Sequence, residues 1–394
     1  MSEMKNKQVI DELASCLDIP DSAYEKAEAR YKDLGEWFSR KESHCSRFDP
    51  HIYPQGSFRL GTVVRADEFD LDLGCRLRSG ISKATHSQEE LKRLVGQDLE
   101  EYRVARGIQH KLEEKNRCWR LRYKDELEFH IDAVPSIPEA YERQELLKTA
   151  MVNRGIDVGN ARSIAQYAGA ITDNRMPNYK LVNPNWKISN SEGYALWFEA
   201  KMKLGSEVMT RRAAEVKAAR IDELPAHRWR SPLQRAIQIL KCHRDQMFAE
   251  NMDSKPISII LTTLSADAYQ GEVTVADTLE GVLSRMGALV RTDRPRVPNP
   301  VNPAEDFADK WYDSEYTALR LEENFWLWLR QAKADLEVLQ TSEDASFIRE
   351  QALTKYGAKL DSGTFERLGL TSAGVAAPRV HVISESPAKP WLRG

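Results

Sequence analysis

Between residues 69 and 73 the chain reads Phe-Asp-Leu-Asp-Leu. Acidic and apolar residues alternate with the period of a β-strand, so Asp70 and Asp72 leave it on one face. Phe69, Leu71 and Leu73 leave on the other. Two like charges on one face repel, and the arrangement is tolerated where a cation lies between them or where that face is solvated. A second apolar run, Phe129-His130-Ile131-Asp132-Ala133-Val134-Pro135, is broken by a single acid. If the two strands lie side by side, three carboxylates converge. Three oxygen donors on rigid strands suit one or two Mg²⁺ ions, which keep several waters and bind substrate phosphates. Upstream, Gly56-Ser57 is expected to precede a helix. Backbone N–H groups there, with the Ser57 hydroxyl and the helix dipole, can hold a phosphate. The competing readings are a solvated edge strand for Asp70 and Asp72, a turn cap for Asp132 and a plain helix cap for Ser57.

Composition narrows the setting. The 394 residues are 41% hydrophobic and 30% charged, enough for two domains, and the net charge of −3 offers no global attraction to nucleic acid or anionic membranes. A local basic groove is still compatible with that balance. The five cysteines (Cys16, Cys45, Cys75, Cys118, Cys242) are scattered and include no Cys-x-x-Cys pair. That usage fits a reducing cytosol without a disulfide framework or a zinc ribbon. The N-terminus has no apolar signal region, and no run of about 18 apolar residues occurs. A cytoplasmic, non-membrane protein is expected.

Periodicity organises the rest. Residues 6–42 read as two helices separated at Ile19-Pro20-Asp21, with Asp21 as N-cap. A polar helix is expected at 87–106, then strands at 117–123 and 127–134 joined by the short turn Lys124-Asp125-Glu126. Helical periodicity follows in 191–219, 231–251, 256–270, 272–290 and 303–340. Pro232 fits a first helical turn after a Ser231 cap, and Pro256 similarly after Ser254. Residues 294–303 read as a proline-rich extended connector, and 371–394 as a mobile tail. The expected domains are 1–190 (N-terminal helices and a small mixed sheet with flanking helices), 191–370 (helical) and the tail. Trp186, Trp197, Trp326 and Trp328 read as core, and His243 as a surface or core histidine.

Gly56-Ser57, a twelve-residue gap, Asp70-x-Asp72 and a later strand Asp132 resemble the polymerase-β-type nucleotidyltransferase signature. The wider stretch "QGSFRLGTVVR…DEFDLDL" more closely resembles bacterial CD-NTases, relatives of cyclic GMP-AMP synthase and oligoadenylate synthase. The likeness is strong over 53–135 and weaker at 183–198, 233–246 and 299–311. It implies an α+β fold: a polymerase-β-like core plus a C-terminal helical domain, with the active site in the cleft between them. It implies catalytic and metal-binding Asp70, Asp72 and Asp132, with two Mg²⁺ ions (Mn²⁺ in their place), and a donor triphosphate contacted by Lys241. Gln55, Gly56, Ser57 and Arg65 complete the candidate nucleotide-binding set; Gln55 and Arg65 also read as a turn-ordering residue and a solvated arginine.

The activity so implied is attack of a hydroxyl on the α-phosphorus of a nucleoside triphosphate, ATP, GTP or another, releasing pyrophosphate. A second round would close a purine cyclic dinucleotide such as cyclic GMP-AMP, a messenger read by a downstream effector in bacterial anti-phage (CBASS) defence. Two other readings stand beside it: a nucleotidyltransferase acting on RNA ends or on a protein, and a catalytically silent binding module. The chain lacks the zinc insertion of the animal synthases and is mildly acidic, so DNA activation is not expected. The extended end at Gly394 would suit an E1/E2-like conjugating partner, since a residue without Cβ enters a narrow channel readily; a plain terminus is the bland reading.

Overall fold

The computed structural model describes residues 2–64, 68–124, 128–204 and 230–367. Two helices open the chain, α1 (Ser2–Cys16) and α2 (Asp21–Ser39). Pro20, not Asp21, stands at the N-cap of α2; it has no side chain to cap with, and Asp21 instead places its charge in the first turn. Strand β1 (Pro50–Pro54) leads into the single-turn helix α3 (Gly56–Leu60) and then β2 (Glu68–Leu77). Gly56 and Ser57 therefore lie inside the short helix, whose five residues sum to little dipole.

Helix α4 (Gln88–Ala105) starts on a Ser87/Glu90 capping box. The two-residue β3 (Glu113–Glu114), β4 (Trp119–Tyr123) and β5 (Glu128–Pro138) follow. Beyond them come α5 (Tyr141–Val152), α6 (Val158–Ala165), β6 (Gly169–Ile171) and β7 (Lys187–Ser189), all in a stretch without clear periodicity. The sheet runs β1-β2-β5-β4-β3, with β6 and β7 continuing from the far end of β5. Only the β2–β5 pair is parallel among the described strand pairs, so the sheet is mixed as expected. Strand β2 has β5 along its acidic half and β1 only along Leu73–Leu77. The Gln55 N–H covers Asp72 on the other side, whereas Asp70 has no described strand there and stays exposed, as the edge-strand reading has it. Its apolar residues Phe69, Leu71 and Leu73 join Phe129, Ile131, Phe58 and Leu34 in one buried cluster under the sheet.

Helices dominate the remainder: α7 (Ser191–Met202), α8 (Pro232–Met247), α9 (Ser258–Ala268), α10 (Val275–Leu289), α11 (Leu321–Thr341), α12 (Ala345–Tyr356) and α13 (Ser362–Arg367). Pro232 sits in the first turn of α8 after a Ser231/Gln234 capping box. Ser254 is not the cap before Pro256: it ends a 3₁₀ turn, and α9 begins at Ser258 with Ile257 at its N-cap. The stretch expected to be helical from 303 starts instead with a small hairpin, β8 (Pro298–Asn299) and β9 (Asn302–Asp306), and two 3₁₀ turns. Its prolines fit a strand pair this short and irregular. The expected helix over 191–219 ends at Met202 among the described residues, and 205–219 lie outside them.

Helix α1 packs away from the sheet. Val9, Ile10 and Leu13 are buried with Leu240, Leu264, Phe325 and Trp328 of the C-terminal helices. Trp186 and Trp197 are buried as expected, and Trp326 is partly so. His243 is buried, its Nε2 3.0 Å from Asp335 Oδ2.

Candidate active site

The parallel register of β2 and β5 pairs Asp70 with His130 and Asp72 with Asp132. Because the pairing is in step, all three acids lie on one face of two adjacent central strands. They differ in depth: the side chain of Asp70 is 63% exposed and that of Asp132 only 15%. Burial, reinforced by the charges of Asp132 and Asp70, pushes Asp72 up to about 7, against the opposing pull of Arg120 and Lys241.

The Gly-Ser turn closes over this face. Gln55 donates its backbone N–H to the carbonyl of Asp72 at 2.8 Å, which ties the turn to the strand. Gly56 adopts φ +59°, and a Cβ there would overlap the Asp72 carboxylate. Glycine is needed on both counts. Ser57 follows, half-buried in the first turn of α3.

Helix α8 grips the chain just beyond that turn. Gln234 Nε2 donates to the Leu60 carbonyl at 2.8 Å and Gln238 Nε2 to that of Val63 at 2.7 Å. Arg230 Nη1 reaches the Gly61 carbonyl at 3.0 Å. Lys241, 4% exposed, donates to both the carbonyl and the hydroxyl of Thr62 at 3.0 Å. Burial, with Arg244 next, pushes its ammonium down to about 7. Lys241 is thus no solvated face residue: it lies within electrostatic reach of Asp72 and spends its hydrogen bonds on Thr62. Arg65 and Gly394 lie outside the described residues.

Two groups on the acidic face were not expected. Arg120 on β4 is the register partner of Asp132 and donates Nε to Oδ1 at 2.7 Å and Nη2 to Oδ2 at 2.6 Å. The pairing keeps Arg120 even more firmly protonated. His130 Nδ1 stands 3.4 Å from Asp70 Oδ1. The signal for Arg120 was only partial: the hairpin expected to turn at 124–126 sets residue 120 opposite 130, on the same strand face as Asp132, whereas the register pairs it with Asp132 itself.

The donor set fits a hard divalent cation. It consists of carboxylate oxygens on rigid strands, and Asp72 in particular is held by like charges that a cation would relieve. Residues 50–136, which span β1 to β5, match the family model of the DncV-like cyclic GMP-AMP synthase nucleotidyltransferase domain. The chain carries a DncV-like nucleotidyltransferase domain. The chain is 29% identical over 314 residues to a c-di-GMP synthase of Roseivirga ehrenbergii, covering 78% of the chain and 73% of the relative. It is 23% identical over 328 residues to the cyclic dinucleotide synthase CdnG of Bradyrhizobium diazoefficiens, covering 78% and 70%. The fold agrees: the structure of that CD-NTase CdnG in complex with GTP superposes with a TM-score of 0.61 at 21% identity, over 89% of this chain and 94% of that one. The CD-NTase architecture, a polymerase-β-like core with C-terminal helices, is therefore the one the residues implied.

Proposed function

We propose that the chain joins nucleoside triphosphates into a purine cyclic dinucleotide and releases pyrophosphate. The observation that carries this is the register of Asp72 against Asp132, with Gly56 closed against Asp72. The two named relatives, a c-di-GMP synthase and a cyclic dinucleotide synthase, support the product class and favour GTP as a substrate.

Asp70, Asp72 and Asp132 would hold Mg²⁺. Bound there, the metal would neutralise the triphosphate and lower the pKa of the acceptor hydroxyl. The Gly56-Ser57 turn, without a Cβ at its start, lets the phosphates approach the backbone, and the Ser57 hydroxyl donates to them. Asp132, facing Asp72 across the parallel strand pair, takes up the proton of the attacking hydroxyl. The hydroxyl oxygen then bonds to the α-phosphorus in line as the bond to pyrophosphate breaks, and a second turnover closes the ring. Lys241 acts through Thr62 on the turn.

Incubation with all four triphosphates and Mg²⁺, followed by chromatography and mass spectrometry, tests the reading. A phosphatase-resistant cyclic dinucleotide supports it, and the masses distinguish cyclic di-GMP from cyclic GMP-AMP. Labelled RNA or protein in place of a small product overturns it. The resemblance also supports two wider roles: a messenger read by an effector in anti-phage signalling, and conjugation of Gly394 by an E1/E2-like partner. Co-expression with such a partner and intact-mass analysis of wild type against Gly394→Glu tests the second. For membranes, no helix among the described residues is long and apolar enough to cross one.

A further inference from the structure

Both oxygens of Asp132 accept from one guanidinium, with Arg120 Nε at 2.7 Å and Nη2 at 2.6 Å. The pairing is built into the sheet. Arg120 and Asp132 are direct cross-strand partners, so their side chains rise from the same face as neighbours, and the fork of the arginine matches the carboxylate. Arg120 Nη2 also lies 3.9 Å from Asp70 Oδ1, so one cation serves two of the three acids. Among the described residues, the second cation that acts on Asp72, Lys241, donates to Thr62.

We propose that Arg120 is an internal counter-ion of the acidic face, which a divalent cation must displace from Asp132 before that carboxylate can serve as a ligand. This rests on the reading of the three acids as the metal site. A guanidinium forked over both oxygens and a doubly charged cation on the same carboxylate repel one another. A cation arriving alone has to overcome that repulsion and leave Arg120 without its partner. A cation arriving with a triphosphate brings anionic charge that offsets both costs. Arg120 is then a positioning residue that makes metal loading depend on nucleotide.

Mn²⁺ binding to the full chain without nucleotide, followed by the electron paramagnetic resonance of free Mn²⁺, tests this. Arg120→Gln should lower the half-saturating Mn²⁺ concentration about tenfold, the scale on which a neighbouring guanidinium shifts a carboxylate's affinity for a proton. In an Asp132→Asn background the same change should have a much smaller effect, the part that Arg120 exerts through Asp70 and Asp72. Arg120→Lys keeps the charge without the fork and should fall between, which preserves the test if the glutamine variant folds poorly. Adding a non-hydrolysable triphosphate should narrow the gap between variants. Unchanged or weaker Mn²⁺ binding in Arg120→Gln and Arg120→Lys overturns the proposal, because the arginine would then be holding Asp132 for the metal. Equal Mn²⁺ binding by wild type and by Asp70→Asn with Asp72→Asn overturns instead the metal-site reading on which it rests.

Discussion

Asp72 concentrates the chemistry of the site in one side chain. It faces Asp132 across the parallel pair, carries Asp70 two residues away, and lies under Gly56. Replacing Asp70 and Asp72 together by Asn should abolish product formation while the protein stays folded, since two repelling charges are removed. Turnover in a folded double variant would sink the assignment. The same carboxyl makes stability depend on pH. Unfolded, an Asp titrates near 3.9; folded, Asp72 titrates at about 7. Between those values the native state holds a proton that the unfolded chain has lost, so stability falls as pH rises through that window. With a chelator present, the melting temperature should therefore drop between pH 5 and pH 8, and Asp72→Asn should remove part of that slope. Equal slopes for the two proteins would show that Asp72 does not titrate there.

Helix α8 decides how the turn is held. Gln234, Gln238 and Lys241, at steps of four and three, line the helix side that meets residues 60–63. Their spacing was legible, but a row of polar residues facing backbone carbonyls has the same pattern as a row facing water. Only the partners tell the two apart, and those lie about 175 positions upstream, as the Gln238–Val63 contact shows. The acids were easier to read, because an acid interrupting an apolar strand has few inexpensive explanations. Arg120 was missed because the expected turn at 124–126 counts residue 120 opposite 130 rather than 132, and because arginines on a half-buried strand usually face solvent. Helices α5 and α6 and the strands β6 and β7 lack a strong period and escaped for that reason. Lys241→Ala should raise the KM for triphosphate more than it lowers kcat, because a displaced turn weakens ground-state and transition-state contacts alike. Asp132→Ala should do the reverse. Gln238→Met, which keeps the length and loses the donor to Val63, should resemble Lys241→Ala in kinetics. Wild-type KM in both folded variants would show the grip of α8 on the loop to be structural only.

At the scale of the molecule, the site depends on parts of the chain far apart in sequence. The acids and the turn belong to the sheet, while the residues that hold the turn belong to α8, whose other face is buried with α1, Phe325 and Trp328. Loosening the C-terminal helices therefore reaches the Gly56-Ser57 turn through α8. By linkage, a ligand held at the turn and the acids stabilises every element whose order the site requires. Mg²⁺ with a non-hydrolysable triphosphate should raise the melting temperature of the whole chain as one transition. At a hundred times the dissociation constant the stabilisation is about 2.7 kcal/mol, or a shift of several degrees. Mg²⁺ alone should do much less, since Arg120 opposes it at Asp132. The Asp70→Asn, Asp72→Asn protein should not respond to the pair. Differential scanning calorimetry distinguishes the outcomes. A single shifted transition fits a site shared by sheet and helices. Two transitions, of which only the one belonging to the sheet moves, would mean that α8 and its neighbours contribute nothing to binding. No shift at saturating ligand would count against a preformed site at these residues.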